Sequence, residues 1–378
     1  MPPLTLLIKP VSGLCNMRCQ YCFYKDETEN RTTACYGVMN TVTLENVVRK
    51  GLETAGHQCT FAFQGGEPTL AGLDFYRGLT EIVNRYNTRR LQVQYTIQTN
   101  GYGIDKEWAV FLAENRFLVG LSLDGTKDLH DLYRKDTQGK GTFSKVMRAV
   151  QLFNHCRVEF NILTTVTDQT AKCIGRIYGF FDRNNIVFQQ YIPCLDPLYK
   201  EHGKQPYSLT PEVYGKFLCS LFDLWYSSFI RGKKVSIRYF DNLLQMMMGY
   251  PPESCGISGK CSRQIVVEAD GSVYPCDFYA LDLYRLGNLN DNSLQEIELK
   301  RDSLGFIGAS RQVSPQCREC RWYPLCRGGC RRNREPGNGG ELTLNYFCLA
   351  YKCFLDYSYP RLIECVRILS NLQEPHCP

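Results

Sequence analysis

The chain has 378 residues and a mass of 43.5 kDa, with 44% hydrophobic and 22% charged residues, a composition that fits a soluble globular protein of two to three domains. No apolar run approaches the roughly 18 residues of a membrane span, and the opening MPPLTLLIKP lacks the charged-then-apolar layout of an export signal, so membrane and secreted readings are poor. The formal net charge of +6 is modest, and the basic stretches Arg231–Lys234 and Arg331–Arg334 read as short solvated faces, so no nucleic-acid partner is expected.

Apolar runs that read as buried strands occur at Leu4–Ile8, Cys59–Phe63, Val93–Ile97, Phe117–Leu123, Val158–Val166 and Ile186–Ile192. Helix-period segments near 43–55, 73–88, 105–115, 143–154 and 168–184 separate them. Strands alternating with helices predict an α/β fold with a parallel sheet, and six of them predict a partial (β/α)6 TIM-like barrel. Such barrels carry their chemistry on loops after the C-terminal strand ends. Polar and glycine-rich motifs fall there: QGGEP after Phe63, QTNG after Ile97, SLDG after Leu121 and PCLD after Ile192. Past residue 200 a helix is expected at 211–230, then an apolar stretch at Val235–Met248 and a hairpin at Gln264–Tyr274 turning at Asp270-Gly271. Residues 317–353 read as loop and 354–372 as a closing helix; a boundary near 232 gives domains 1–232 and 233–378.

Cysteine is the outlier, with 20 against 5 histidines. A disulfide scaffold is usually a short secreted chain, so clustered thiols in this one point to metal. Cys15-x3-Cys19-x2-Cys22 places three thiolates on one tight loop, enough for three irons of a cubane with the fourth left open. Half of a zinc site is the plainer alternative. Cys255, Cys261, Cys276, Cys317, Cys320, Cys326, Cys330 and Cys348 supply eight more thiols, enough for two fully ligated clusters or a pair of structural zinc sites. Cysteines 35, 59, 156, 173, 194, 219, 353, 365 and 377 fit no ligand spacing and read as small buried hydrophobes. No histidine sits in a ligand or triad spacing.

The loop GLCNMRCQYCFY, followed one strand later by Gln64-Gly65-Gly66-Glu67-Pro68, resembles the radical S-adenosylmethionine superfamily. In that superfamily the open iron is chelated by the amino and carboxylate groups of S-adenosylmethionine, and glycine lets the backbone approach the ligand closely. The later cysteines resemble the SPASM extension. LLIKPVSGLCNMRCQYCFYK, FAFQGGEPTLAG, VGLSLDG, FNILTTVT, SIRYFDNLL, DGSVYPCDFYALD and CRGGCRRNR narrow the likeness to the anaerobic sulfatase-maturating enzymes over nearly the whole chain. Asp124-Gly125-Thr126, in place of the commoner Asp-Gly-Pro, and Pro193 before Cys194 depart from the pattern without touching a ligand.

The resemblance implies a radical SAM partial barrel with a C-terminal SPASM domain, three [4Fe–4S] clusters and S-adenosylmethionine. Cys15, Cys19 and Cys22 would hold the first cluster. Cys255, Cys261, Cys276 and Cys330 would hold one auxiliary cluster, and Cys317, Cys320, Cys326 and Cys348 the other. Tyr21, Gly66, Ser122, Arg134 and Leu195 match cofactor contacts, Gln64 and Tyr24 would face the substrate, and Asp277 matches the proton acceptor; the plainer reading of Asp277 is a cap on the turn after the hairpin. The implied activity is oxygen-independent oxidation of a sulfatase's active-site cysteine or serine to formylglycine, on an unfolded polypeptide or its motif peptide. A flavodoxin- or ferredoxin-type electron donor, a monomeric state and a reducing cytoplasm go with it. The rival within the subfamily is a maturase forming thioether or carbon–carbon crosslinks in a ribosomal peptide, disfavoured because a first strand at residue 4 leaves no room for a preceding recognition domain. A non-enzymatic zinc scaffold is the rival from another class.

Overall fold

In the computed structural model, residues 3–336 and 341–373 are described; Cys377 lies outside them. The strands are β1 (Leu4–Ile8), β2 (Gln58–Phe63), β3 (Gln92–Thr99), β4 (Phe117–Ser122), β5 (Phe160–Val166), β6 (Phe188–Pro193), β7 (Ser236–Ile237), β8 (Ile265–Val267), β9 (Ser272–Tyr274) and β10 (Gly287–Asn288). The chain packs as two compact units. The first comprises residues up to 123, 130–162 and 263–306; the second comprises 124–129, 163–262 and 307 onward.

In the first unit β1 to β4 run parallel, with Ile8 beside Phe63 and Phe63 beside Ile97. Alternate residues of β1 and β2 point to one buried layer, where Leu6, Ile8, Phe61 and Phe63 are almost wholly covered. Tyr76, Trp108 and Phe117 close over it, with Tyr76 edge-on to Phe63 at 5.0 Å. Each such ring contributes about 2–3 kcal/mol by burial. On the other edge β8 pairs parallel with β1, and β9 returns antiparallel to β8. Their turn closes with Gly271 N donating to Glu268 O at 2.9 Å, and Gly271 takes the positive φ of +88° that the Asp-Gly pair predicts.

The second unit is built on the helix Pro211–Ile230, which has Thr210 as its N-cap and Pro211 in its first turn. It packs along the helix Cys348–Gln373, and Phe222, Trp225, Phe240 and Phe354 interlock at 5.3–5.8 Å. The closing helix begins six residues before the expected start at 354. Asn345 turns the chain into it, its side chain accepting from Phe347 N at 2.8 Å and its carbonyl from Cys348 N. The single helix expected over 168–184 is two, Asp168–Lys172 and Ile174–Arg183, because Cys173 leaves helical geometry at φ −110° and bonds back to Thr170. Arg331–Arg334 is a second correction. Arg332 and Arg334 are buried, and the Arg334 guanidinium holds the carbonyls of Gln312, Ser310 and Gly259, so this run is structural rather than a solvated face. Among the described residues no helix is long and apolar enough to cross a membrane.

Candidate active site

The three-cysteine loop lies between β1 and the helix Phe23–Glu29, with all three thiols half-buried and Cys22 capping that helix. Cys15 Sγ accepts from Met17 N at 3.4 Å and Asn100 Nδ2 at 3.7 Å, the N–H donors that a ligating sulfur uses. Burial pushes the iron-free Cys15 thiol up to about 12, with Glu67, Cys19 and Cys22 adding to the shift. The QGGEP turn packs directly on this loop. Gly66 N donates to Ser12 O and Glu67 N to Leu14 O, and a Cβ on Gly66 would lie 1.9 Å from Leu14 O. Only glycine fits that approach.

Glu67 itself is the organiser that sequence reasoning missed. Its buried carboxylate accepts from Thr69 N, Thr69 Oγ1, Thr99 Oγ1 and Asn100 N at 2.6–3.1 Å, tying the ends of β2 and β3 together. Burial still raises its carboxyl above the ordinary range, although all four donors oppose the shift.

On the far side of the loop, backbone bonds from Arg18 N to Lys135 O and Gln20 N to Tyr133 O bring Tyr21 to Arg134. The guanidinium carbon stands 5.4 Å from the ring centroid, and both side chains are buried. Ser122, at the end of β4, accepts from Gln98 Nε2 at 3.1 Å. Leu195 lies in the second unit, on the loop after β6.

Asp277 opens the short turn Asp277–Tyr279 behind Cys276, in the first unit, and its side chain caps nothing. Its Oδ2 accepts from the Tyr24 hydroxyl at 2.6 Å and Gln64 Nε2 at 3.0 Å. Its Oδ1 is buried with no hydrogen-bond donor, and Lys9 Nζ stands 3.7 Å away. Burial raises the Asp277 carboxyl above the usual range, with Lys9 and Tyr24 opposing, and burial beside Asp277 pushes the Tyr24 phenol far up. Behind them lies a charge cluster that no local pattern announces. Lys9 reaches Glu27 at 2.7 Å and Glu268 at 3.4 Å, and Arg31 reaches Glu268 at 2.6 Å, every partner buried. Burial raises Glu27 to about 7 against the pull of Lys9. Lys9 shows the opposite balance: burial favours its neutral form, yet Glu27, Glu268 and Asp277 outweigh that and hold it charged.

In the second unit, Cys317, Cys320, Cys326 and Cys348 line one pocket, with Trp322, Tyr323 and Tyr351 in its wall. Four thiols around one such space fit a fully ligated cubane. Cys330 neighbours Cys255 and Cys261, and burial followed by the Cys255 thiol pushes it up to about 12. Cys276 belongs to the first unit.

The chain matches the radical SAM superfamily over residues 10–181 and an iron–sulfur cluster-binding domain, SPASM, over 255–321, so it is an α/β radical SAM protein with a SPASM extension. A cysteine-type anaerobic sulfatase-maturating enzyme of Clostridium perfringens is 51% identical over 96% of this chain and 98% of its own, and a serine-type one of Bacteroides thetaiotaomicron is 32% identical over 99% and 94%. Native anSMEcpe with bound AdoMet and Kp18Cys peptide superposes with a TM-score of 0.92 at 49% identity, over 97% of this chain and 99% of that one. The chain belongs to the anaerobic sulfatase-maturating enzymes.

Proposed function

We propose that this enzyme oxidises the active-site cysteine of a sulfatase, presented as an unfolded segment or motif peptide, to Cα-formylglycine without oxygen. The near full-length identity to a cysteine-type enzyme carries this reading, and the lower identity to a serine-type one favours cysteine as the target. When bound, the first cluster and S-adenosylmethionine would supply the one-electron chemistry that takes a hydrogen atom from the target Cβ. Cys15, Cys19 and Cys22 hold that cluster, while Tyr21, Gly66, Ser122, Arg134 and Leu195 hold the cofactor. Arg134 supplies a charged fork suited to a carboxylate. Cys255, Cys261, Cys276 and Cys330 hold one auxiliary cluster; Cys317, Cys320, Cys326 and Cys348 hold the other.

Asp277 accepts the proton of the target thiol. A carboxylate with one oxygen fixed by Tyr24 and Gln64, and the other without a donor, suits a positioned base. A flavodoxin- or ferredoxin-type protein delivers electrons to a monomeric enzyme in a reducing cytoplasm. The test incubates the reconstituted holoenzyme with matched cysteine and serine motif peptides and reads formylglycine by mass. Formylglycine from the cysteine peptide, faster than from the serine one, is expected. A crosslink mass on a ribosomal precursor peptide with no formylglycine would overturn the reading.

A further inference from the structure

The helices Pro211–Ile230 and Cys348–Gln373 of the second unit meet along one stripe. At one end Gly215 lies against Ala350, where an added Cβ would stand 3.3 Å from the Ala350 Cα, so the two backbones nearly touch. At the other end Asp223 accepts from the Tyr357 hydroxyl and from Arg361 Nη1, each at 2.7 Å. Cys219 sits one turn past Gly215 and one turn before Asp223, while Cys353 sits one turn past Ala350 and one turn before Tyr357. This register sets the two cysteines opposite each other, and the Cys219 thiol has that of Cys353 as its side-chain partner. Cys353 is exposed, against the expectation of a buried hydrophobe, and Cys219 is half-buried. Burial, with the Cys353 thiol and Asp223 adding, pushes the Cys219 thiol up to about 12. Backbones this close suit a disulfide, which spans Cα atoms about 5–6 Å apart. Neither thiol belongs to a proposed ligand set.

We infer that Cys219 and Cys353 form a thiol–disulfide exchange site whose substrate is a low-molecular-weight disulfide of the glutathione type. Cys353, the exposed thiol, attacks one sulfur of the disulfide R–S–S–R. That S–S bond breaks, a Cys353–S–S–R bond forms, and one R–SH leaves. Cys219 then attacks the Cys353 sulfur, the mixed bond breaks, and the second R–SH leaves as the Cys219–Cys353 bond closes. Two electrons pass from the two protein thiols to R–S–S–R, and both thiol protons leave on the R–SH products. The new bond staples the two helices between the Gly215 contact and the Asp223 bonds. A reducing thiol pool keeps the pair open, so closure answers to oxidation of that pool.

The test incubates the anaerobically reconstituted holoenzyme with oxidised glutathione, alkylates without reduction, and maps the cysteines by mass. A loss of two hydrogen masses is expected, carried by a peptide pair joined through Cys219 and Cys353 and reversed by dithiothreitol. Cys219→Ser should stop at a glutathione adduct on Cys353. Cys353→Ser should react at Cys219 about tenfold more slowly or less, because that thiol is shielded and poorly ionised. A lasting glutathione adduct on Cys353 in the unaltered chain, a bond from either cysteine to any other, or no reaction overturns the inference. If the serine variants do not fold, the peptide map of the unaltered chain decides alone: the 219–353 pair supports the inference, and its absence overturns it.

Discussion

Two groups of thiols, each within one compact unit, are supported by different physics. The loop of Cys15, Cys19 and Cys22 rests on buried polar side chains: Glu67 gathers four donors behind it and Asn100 reaches both Cys15 and Asn16. The group of Cys317, Cys320, Cys326 and Cys348 sits on short helical turns and aromatic walls, with Cys348 at the start of a long helix. Side-chain networks fix a loop before any ligand arrives, whereas isolated turns of four residues are marginal until something bridges them. In the second case a bound metal would be part of the fold.

Changes that break this contrast rank by size. Cys19→Ala removes a proposed ligand of the first cluster and should abolish both deoxyadenosine and formylglycine, yet leave the melting temperature nearly unchanged because the Glu67 support remains. Cys348→Ala should instead lower the melting temperature clearly. Asp277→Asn should cut formylglycine by about 100-fold or more while deoxyadenosine still forms, which separates proton removal from cofactor cleavage. Arg334→Met strips a donor from the buried carbonyls of Ser310 and Gly259, and from that of Gln312, and should cost about 3 kcal/mol in denaturant unfolding. Glu67→Gln turns one acceptor oxygen into a donor facing other donors and should cost about 2 kcal/mol. The mildest change needs no mutation: anaerobic iron removal should speed amide exchange over 315–330 more than over 12–22. Equal exchange in both segments would remove the contrast.

Much of this was legible in the sequence. β1 matches its expected limits, and β2 to β6 fall within two residues of theirs because buried strands write themselves as continuous apolar runs. The cysteine spacings likewise announce their chemistry, being local constraints on a loop. Glu27, Arg31 and Glu268 were invisible for the opposite reason. A charged residue is buried only when its partner is, and those partners lie far off in the chain; Arg31 meets Glu268 across 237 positions. Arg334 was misjudged on the same ground, since a run of arginines has no period to distinguish a surface from three carbonyls folded over it. Asp277 was named by resemblance, but its bonds to Tyr24 and Gln64 and its buried Oδ1 without a donor appear only in three dimensions.

The bare backbone at Gly66 has an outcome for how such a chain can drift. Position 78, inside the helix Leu73–Tyr86, has nothing within 4 Å of an added methyl, and alanine there should firm the helix by about 1 kcal/mol. At position 66 the same methyl collides with the main chain of the residue preceding Cys15, which no rotamer can relieve. The two segments are therefore obliged to vary together, and neither can lengthen or shift unless the other moves with it.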